Sequence, residues 1–140
     1  MKKLNSALSI LLIICFAFAL SACGGVEQTG LWENAVYTSD KELGEGSKTL
    51  TVEIKAGEDS ITLTVKTDKS TVGAALLEND IISGDEGPYG LYVKKVNGIT
   101  ADFDIDQSYW AFYINGEMAM TGVDMTDIDE SAVYKLEYTK

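Results

Sequence analysis

Two runs of strict alternation limit what this chain can fold into. Leu50, Val52 and Ile54 are separated by Thr51 and Glu53, and Ile61, Leu63 and Val65 by Thr62 and Thr64. A period of two puts the apolar set on one face of a strand and the polar set on the other. Gly57, Glu58, Asp59 and Ser60 supply a turn between the runs, so they pair as an antiparallel hairpin. Its apolar face then needs a covering layer. Residues 70–79 can provide one. Ser70 or Thr71 can cap a short helix that ends near Asn79, and Val72, Ala75 and Leu76 fall on one helical face. Gly73 weakens this helix, which therefore depends on packing against the sheet.

From Ile81 onward the pattern returns to strands. Residues 83–88 (Ser-Gly-Asp-Glu-Gly-Pro) read as an acidic surface loop. It is no phosphate cradle, because Asp85 and Glu86 repel phosphate and no Lys follows at P-loop spacing. Residues 91–96 form a strand that turns at Asn97-Gly98, a two-residue hairpin signal. Residues 108–114 form an apolar-aromatic strand, which Asn115-Gly116 turns back into residues 117–121. Tyr134, Leu136 and Tyr138 alternate in a closing strand. A hairpin, one helix and further strands give an α+β domain. Its economical form is β-grasp-like, with one short helix packed on a curled mixed or antiparallel sheet. Another α+β roll would have the same order of elements.

The N-terminus reads as an address. Lys2 and Lys3 precede an apolar run over residues 7–20, broken only by Ser9. The run is too short to cross a hydrocarbon core of ~30 Å as a helix. It fits the apolar region of a secretory leader. Leu20-Ser21-Ala22-Cys23 resembles the bacterial lipobox. That resemblance implies a leader at 1–22 and a new N-terminus at Cys23 carrying diacylglycerol and palmitate. The chain would then be held in the cell membrane at its extracytoplasmic face. A plain leader with a coincidental Cys, or an uncleaved anchor, are the alternatives. On the lipobox reading Cys15 is lost and Cys23 is blocked, so the domain at 48–140 holds together by its core without a disulfide. Residues 23–47, rich in Gly and polar side chains, are expected as a flexible tether with a root-mean-square span of about 27 Å. Leu31, Trp32 and Val36 are apolar enough to dock on the domain instead.

The residue types present exclude several functions. The chain has 11 Lys, no Arg, no His and 22 acidic residues, a net charge of −11. Loss of Lys2 and Lys3 with the leader leaves 9 Lys against 22 acids, a net −13. Nucleic acid is an unsuitable partner for such a chain. Anionic headgroups would repel it as well, which leaves acyl chains on Cys23 as the membrane contact. The missing His removes imidazole catalysis and His metal ligands. Asp102, Asp104 and Asp106 recur at every second position, but Gln107 and Tyr113 stand where a calcium loop needs Gly and Glu. They read as a solvated acidic strand end, and Asp124, Asp127, Asp129 and Glu130 carry no stronger signal. No metal site, no catalytic role and no cofactor beyond the lipid are expected.

Five segments carry a family resemblance: residues 71–76 (Thr-Val-Gly-Ala-Ala-Leu), 89–93 (Tyr-Gly-Leu-Tyr-Val), 96–98 (Val-Asn-Gly), 109–117 (Tyr-Trp-Ala-Phe-Tyr-Ile-Asn-Gly-Glu) and 121–124 (Thr-Gly-Val-Asp). In this order they resemble the bacterial domain related to the transcobalamin C-terminal domain, a β-grasp group that binds soluble ligands. The resemblance implies an extracellular binding role, with cobalamin or another corrinoid as the ligand. It directs attention to Tyr89, Tyr92, Tyr109, Trp110, Tyr113 and Asn115. On a strand, Tyr109 and Tyr113 share one face with Ala111, and Trp110, Phe112 and Ile114 share the other. Aromatic rings can cover an apolar ligand while phenol hydroxyls and the Asn115 amide offer polar handles. A module that binds a surface protein or wall glycan, or an accessory subunit of a transporter, are the alternative readings.

Overall fold

The computed structural model describes residues 30–140. The expected leader, the expected lipidation site Cys23 and the first residues of the expected tether lie outside the described residues. The elements run β1 (Lys41–Gly44), β2 (Lys48–Ala56), β3 (Asp59–Thr67), α1 (Val72–Glu78), β4 (Ile82–Gly87), β5 (Gly90–Val96), β6 (Ile99–Thr100), α2 (Phe103–Asp106), β7 (Tyr109–Ile114), β8 (Glu117–Met118) and β9 (Val133–Thr139). Short 3-10 turns span Gly30–Trp32 and Val123–Met125.

The strands form a six-stranded sheet in the order β1-β3-β2-β9-β7-β8 and a three-stranded sheet β4-β5-β6. The larger sheet is mixed: β1 runs parallel to β3 and β9 parallel to β2, and the other pairs are antiparallel. This is the expected α+β arrangement. The alternating runs make its centre. Leu50, Val52, Ile54, Leu63 and Val65 are fully buried and share one core with Val72, Ala75 and Leu76 of α1, Ile82, Val96 and Ile99 of the smaller sheet, and Tyr134 and Leu136 of β9. Their polar neighbours face outward, because successive side chains of a strand point to opposite faces.

Both Asn-Gly dipeptides are two-residue turns. Val96 pairs with Ile99 and Ile114 with Glu117, and both central residues have positive φ: 51° and 81° at Asn97-Gly98, 49° and 83° at Asn115-Gly116. That is the conformation whose twist matches the flanking strands. Thr71 caps α1, its hydroxyl accepting from the Ala74 N–H at 3.3 Å. Gly73 has a positive reason to be there. A Cβ at this position would stand 2.7 Å from the Cα of Asp124, so the missing side chain lets the 3-10 turn Val123–Met125 lie directly on the helix.

Four expectations need correction. Residues 30–47 are part of the folded unit, not a flexible tether. Trp32 is buried and its indole N–H donates to the Ala56 carbonyl at 2.9 Å, while β1 extends the sheet. Leu31 and Val36 stay more exposed than Trp32. The acidic loop at 83–88 is largely strand β4, paired with β5 through an irregularity at Ser83/Gly84. Asp102, Asp104 and Asp106 lie in and around the helical turn α2, with the Asp102 carboxylate accepting from the Asp104 N–H and Gln107 ending the turn at φ 65°. The strand expected over 117–121 stops at Met118, after which the chain leaves the sheet edge.

Candidate functional site

A cleft of about 670 Å³ opens between the β4–β5 hairpin tip and the segment that follows β8. Its walls are Pro88, Tyr89 and Gly90 on one side and Met120, Thr121, Gly122 and Met125 on the other. The first wall is a tight turn. Gly87 pairs with Gly90, which leaves Pro88 and Tyr89 as the loop and projects the Tyr89 ring into solvent at 94% exposure. The second wall is tied to the fold from below. Val123 is buried in the core, and the Thr126 hydroxyl donates to the Gly122 carbonyl at 2.8 Å and lies 3.0 Å from the Thr121 hydroxyl. Met120 and Met125 are therefore exposed from an anchored backbone, at 98% and 68%.

Asp124 joins the two walls. Its Oδ2 accepts the Leu91 N–H at 3.1 Å. Gly90 makes this approach feasible, because a Cβ there would stand 2.5 Å from Oδ2, and its φ of 98° is one that side chains rarely adopt. A smaller hollow of about 250 Å³ adjoins the cleft, lined by Gly87–Tyr92. A more polar hollow of about 540 Å³ lies elsewhere, among Gly30, Leu31, Asn34, Lys95, Gly98, Ile99 and Thr100.

The structure divides the expected ligand-binding residues. Tyr89 lines the main cleft and Tyr92 the smaller hollow. The other four do not line either. Trp110, expected as an exposed ring, is buried and meets Tyr138 edge-on at 5.7 Å between centroids. The inward face of β7 puts it there, with Phe112 stacked on Tyr134 at 6.1 Å. Tyr109 packs edge-on against Phe103 at 6.5 Å. Tyr113 lies under the Lys135 ammonium, 4.4 Å from its ring centroid. The Asn115 side chain accepts from the Val133 N–H at 2.9 Å, which fixes the turn to β9. The methionines went unrecognised in the sequence. Their signal was Met118, Met120 and Met125 within eight residues of a polar stretch, where no strand or helix period places them in a core.

Among the described residues, no three His, Cys, Asp or Glu side chains stand together as metal ligands. Two of the three aspartates around α2 are otherwise engaged: Asp102 caps the turn and Asp106 is bonded by Ser108 and by Lys140 at 3.1 Å. Hydrogen bonds from the Ser108 side chain and from Lys140 hold the Asp106 carboxyl below its ordinary range. What the cleft offers is an aromatic face, two adaptable thioethers and backbone polar groups, a set suited to binding.

Residues 69–140 match the family model described as "Domain of unknown function (DUF4430)". No curated protein matches the chain. Among solved structures, a candidate metal-binding protein from Ruminococcus gnavus ATCC 29149 is similar at 27% identity and a TM-score of 0.63, over 67% of this chain and 98% of that one. Haptocorrin in complex with Cbi is similar at 18% identity and a TM-score of 0.49, over 66% of this chain and 25% of that one.

Proposed function

This chain belongs to the DUF4430 family, and we propose that it is an extracytoplasmic, lipid-anchored protein that binds a small soluble ligand in the Tyr89–Met120 cleft and performs no catalysis. The observation that carries the reading is the cleft itself. Tyr89 and Met120, both almost fully exposed, face a concavity of about 670 Å³ from two anchored walls. Ligand pockets run from roughly 300 to 1,000 Å³ and combine apolar lining with a few polar groups. The leader-like N-terminus and Cys23 support the anchoring.

A corrinoid is the specific ligand we propose, on the strength of the resemblance at residues 71–139. A corrinoid is larger than the cleft, so the contact would grip one edge of it. The chain has no His, so it cannot supply the imidazole that displaces the corrinoid's own base on cobalt. Titration of the mature chain, residues 23–140, with cobalamin tests this. Binding should weaken in Tyr89→Ala and leave a base-on visible spectrum. No binding at millimolar cobalamin removes the corrinoid, and a base-off spectrum contradicts the edge-on mode. The anchoring has its own test. Cys23→Ala should be released or remain as unprocessed precursor, whereas a processed, membrane-bound mutant would refute lipidation.

A second reading, a surface for a protein partner, is favoured by the exposed apolar group at Phe103 (55%), Ile105 (82%) and Tyr109 (36%). Crosslinking on cells with and without Ile105→Ser distinguishes it.

A further inference from the structure

One oxygen beside the cleft has no use within the described chain. The Asp124 carboxylate gives Oδ2 to the Leu91 N–H, but its Oδ1 is buried with no hydrogen-bond partner among the described residues. A carboxylate oxygen in that state is costly, and such groups are rare in native folds. Its position explains why one would be kept. A Cβ at Gly90 would stand 2.9 Å from Oδ1, and a Cβ at Gly122 would stand 3.0 Å from it. Both glycines line the cleft. Oδ1 thus lies directly behind the two cleft residues that have no side chain to screen it. Pro88 and Tyr89, at the tip above it, are both exposed side chains with no part in the core.

The geometry points to Asp124 as the residue that selects the ligand: the cleft takes a molecule presenting an amide N–H beside an apolar surface, and the N–H is donated to Oδ1 when the Pro88–Gly90 tip gives way. Acceptor-only groups, carboxylates above all, are rejected because they meet an oxygen with no proton to offer. The inference rests on the ligand-binding reading of the cleft and specifies the chemistry it selects.

Benzamide and benzoate test it, since they share a ring and differ in the donor. The full chain is labelled at its methionine methyls and titrated at high salt, where the long-range field of this acidic protein is screened. Benzamide should shift Met120 and Met125, and benzoate should need about tenfold more to do so. Asp124→Asn keeps an oxygen for the Leu91 N–H and turns the second oxygen into a donor, so it should reverse the preference towards benzoate. Equal binding of the two probes to the wild type overturns the inference while the cleft remains a ligand site. An unchanged ratio in Asp124→Asn overturns it in the same way. If neither probe moves either methyl, the cleft does not take an amide beside an apolar ring and the inference falls, while the cobalamin titration separately decides the ligand-binding reading.

Discussion

The side-chain amide of Asn97 and the backbone of Tyr37 exchange two hydrogen bonds. The Tyr37 N–H donates to Oδ1 and the Asn97 Nδ2 donates to the Tyr37 carbonyl, each at 2.8 Å. Asn97 is 1% exposed and has φ 51°. One residue therefore forms the β5–β6 turn and fastens the N-terminal segment to the domain. Asn97→Ala should lose about 3 kcal/mol, from unpaired backbone groups and a disfavoured backbone conformation together. Asn97→Gly relieves only the second and should still lose about 2 kcal/mol. Urea denaturation measures both, and equal stability of Asn97→Gly and wild type would show the amide contacts to be idle.

Gly73 sits inside a helix, where Ala would ordinarily gain about 1 kcal/mol. Here the sign should reverse. The added Cβ would press on the backbone of Asp124 and Val123, which cannot yield as a flexible side chain can. Gly73→Ala should destabilise by about 1–3 kcal/mol. A stabilised variant in thermal unfolding would mean that α1 and the Val123–Met125 turn separate readily.

The two turn glycines separate backbone strain from steric contact. Gly116 has φ 83° with open space around it, whereas a Cβ at Gly98, φ 81°, would run into the Asn34 carbonyl. Gly116→Ala should lose about 1 kcal/mol from conformation alone. Gly98→Ala should lose clearly more, and equal losses in chemical denaturation would contradict the close packing of Asn34.

Acid should weaken the outer face of the sheet. A hydrogen bond from Lys135 at 2.7 Å, with Lys55 at 3.4 Å on the other oxygen, holds the Glu137 carboxyl below its ordinary range. A depressed folded pKa means that the contribution is present above the ordinary carboxylate range and is lost as pH falls through the folded value. Lys135 is shifted upward, first by the Glu137 hydrogen bond, so its share persists to alkaline pH and is lost only as pH rises through its raised value. Glu137→Gln should flatten the acid limb of a stability-versus-pH curve. An unchanged limb would assign the acid sensitivity to other carboxylates.

The parts of the fold that were legible in sequence are those decided locally. The alternation in β2 and β3 and the two Asn-Gly turns each carry their reason within a few residues. Strand β4 does not. Its glycines and acids describe a loop, yet β5 supplies the partner, and Gly84 is required because a Cβ there would strike the Tyr92 carbonyl. Pairing with the neighbouring strand overrode composition. The N-terminal segment was misread because the hydrogen bonds that fasten Trp32 and Tyr37 are made to Ala56 and Asn97, far along the chain. At the site, aromatic content drew attention to residues 109–113, but β7 spends Trp110 and Phe112 on packing. The cleft is assembled from two turns far apart in sequence, so no single motif encodes it.

Under the proposed lipidation, the fastening of Tyr37 to Asn97 would also set the geometry of attachment. With a lipid on Cys23, only seven residues reach Gly30, a leash of at most roughly 25 Å when fully extended. That leash enters the domain beside Gly98, at one end of β5. The Tyr89 tip lies at the other end, and the strand between Gly90 and Val96 separates them by roughly 20 Å. Under the proposed lipidation the Asn97 turn would be the end moored near the bilayer, and the cleft would be carried outward, open to whatever arrives from the medium.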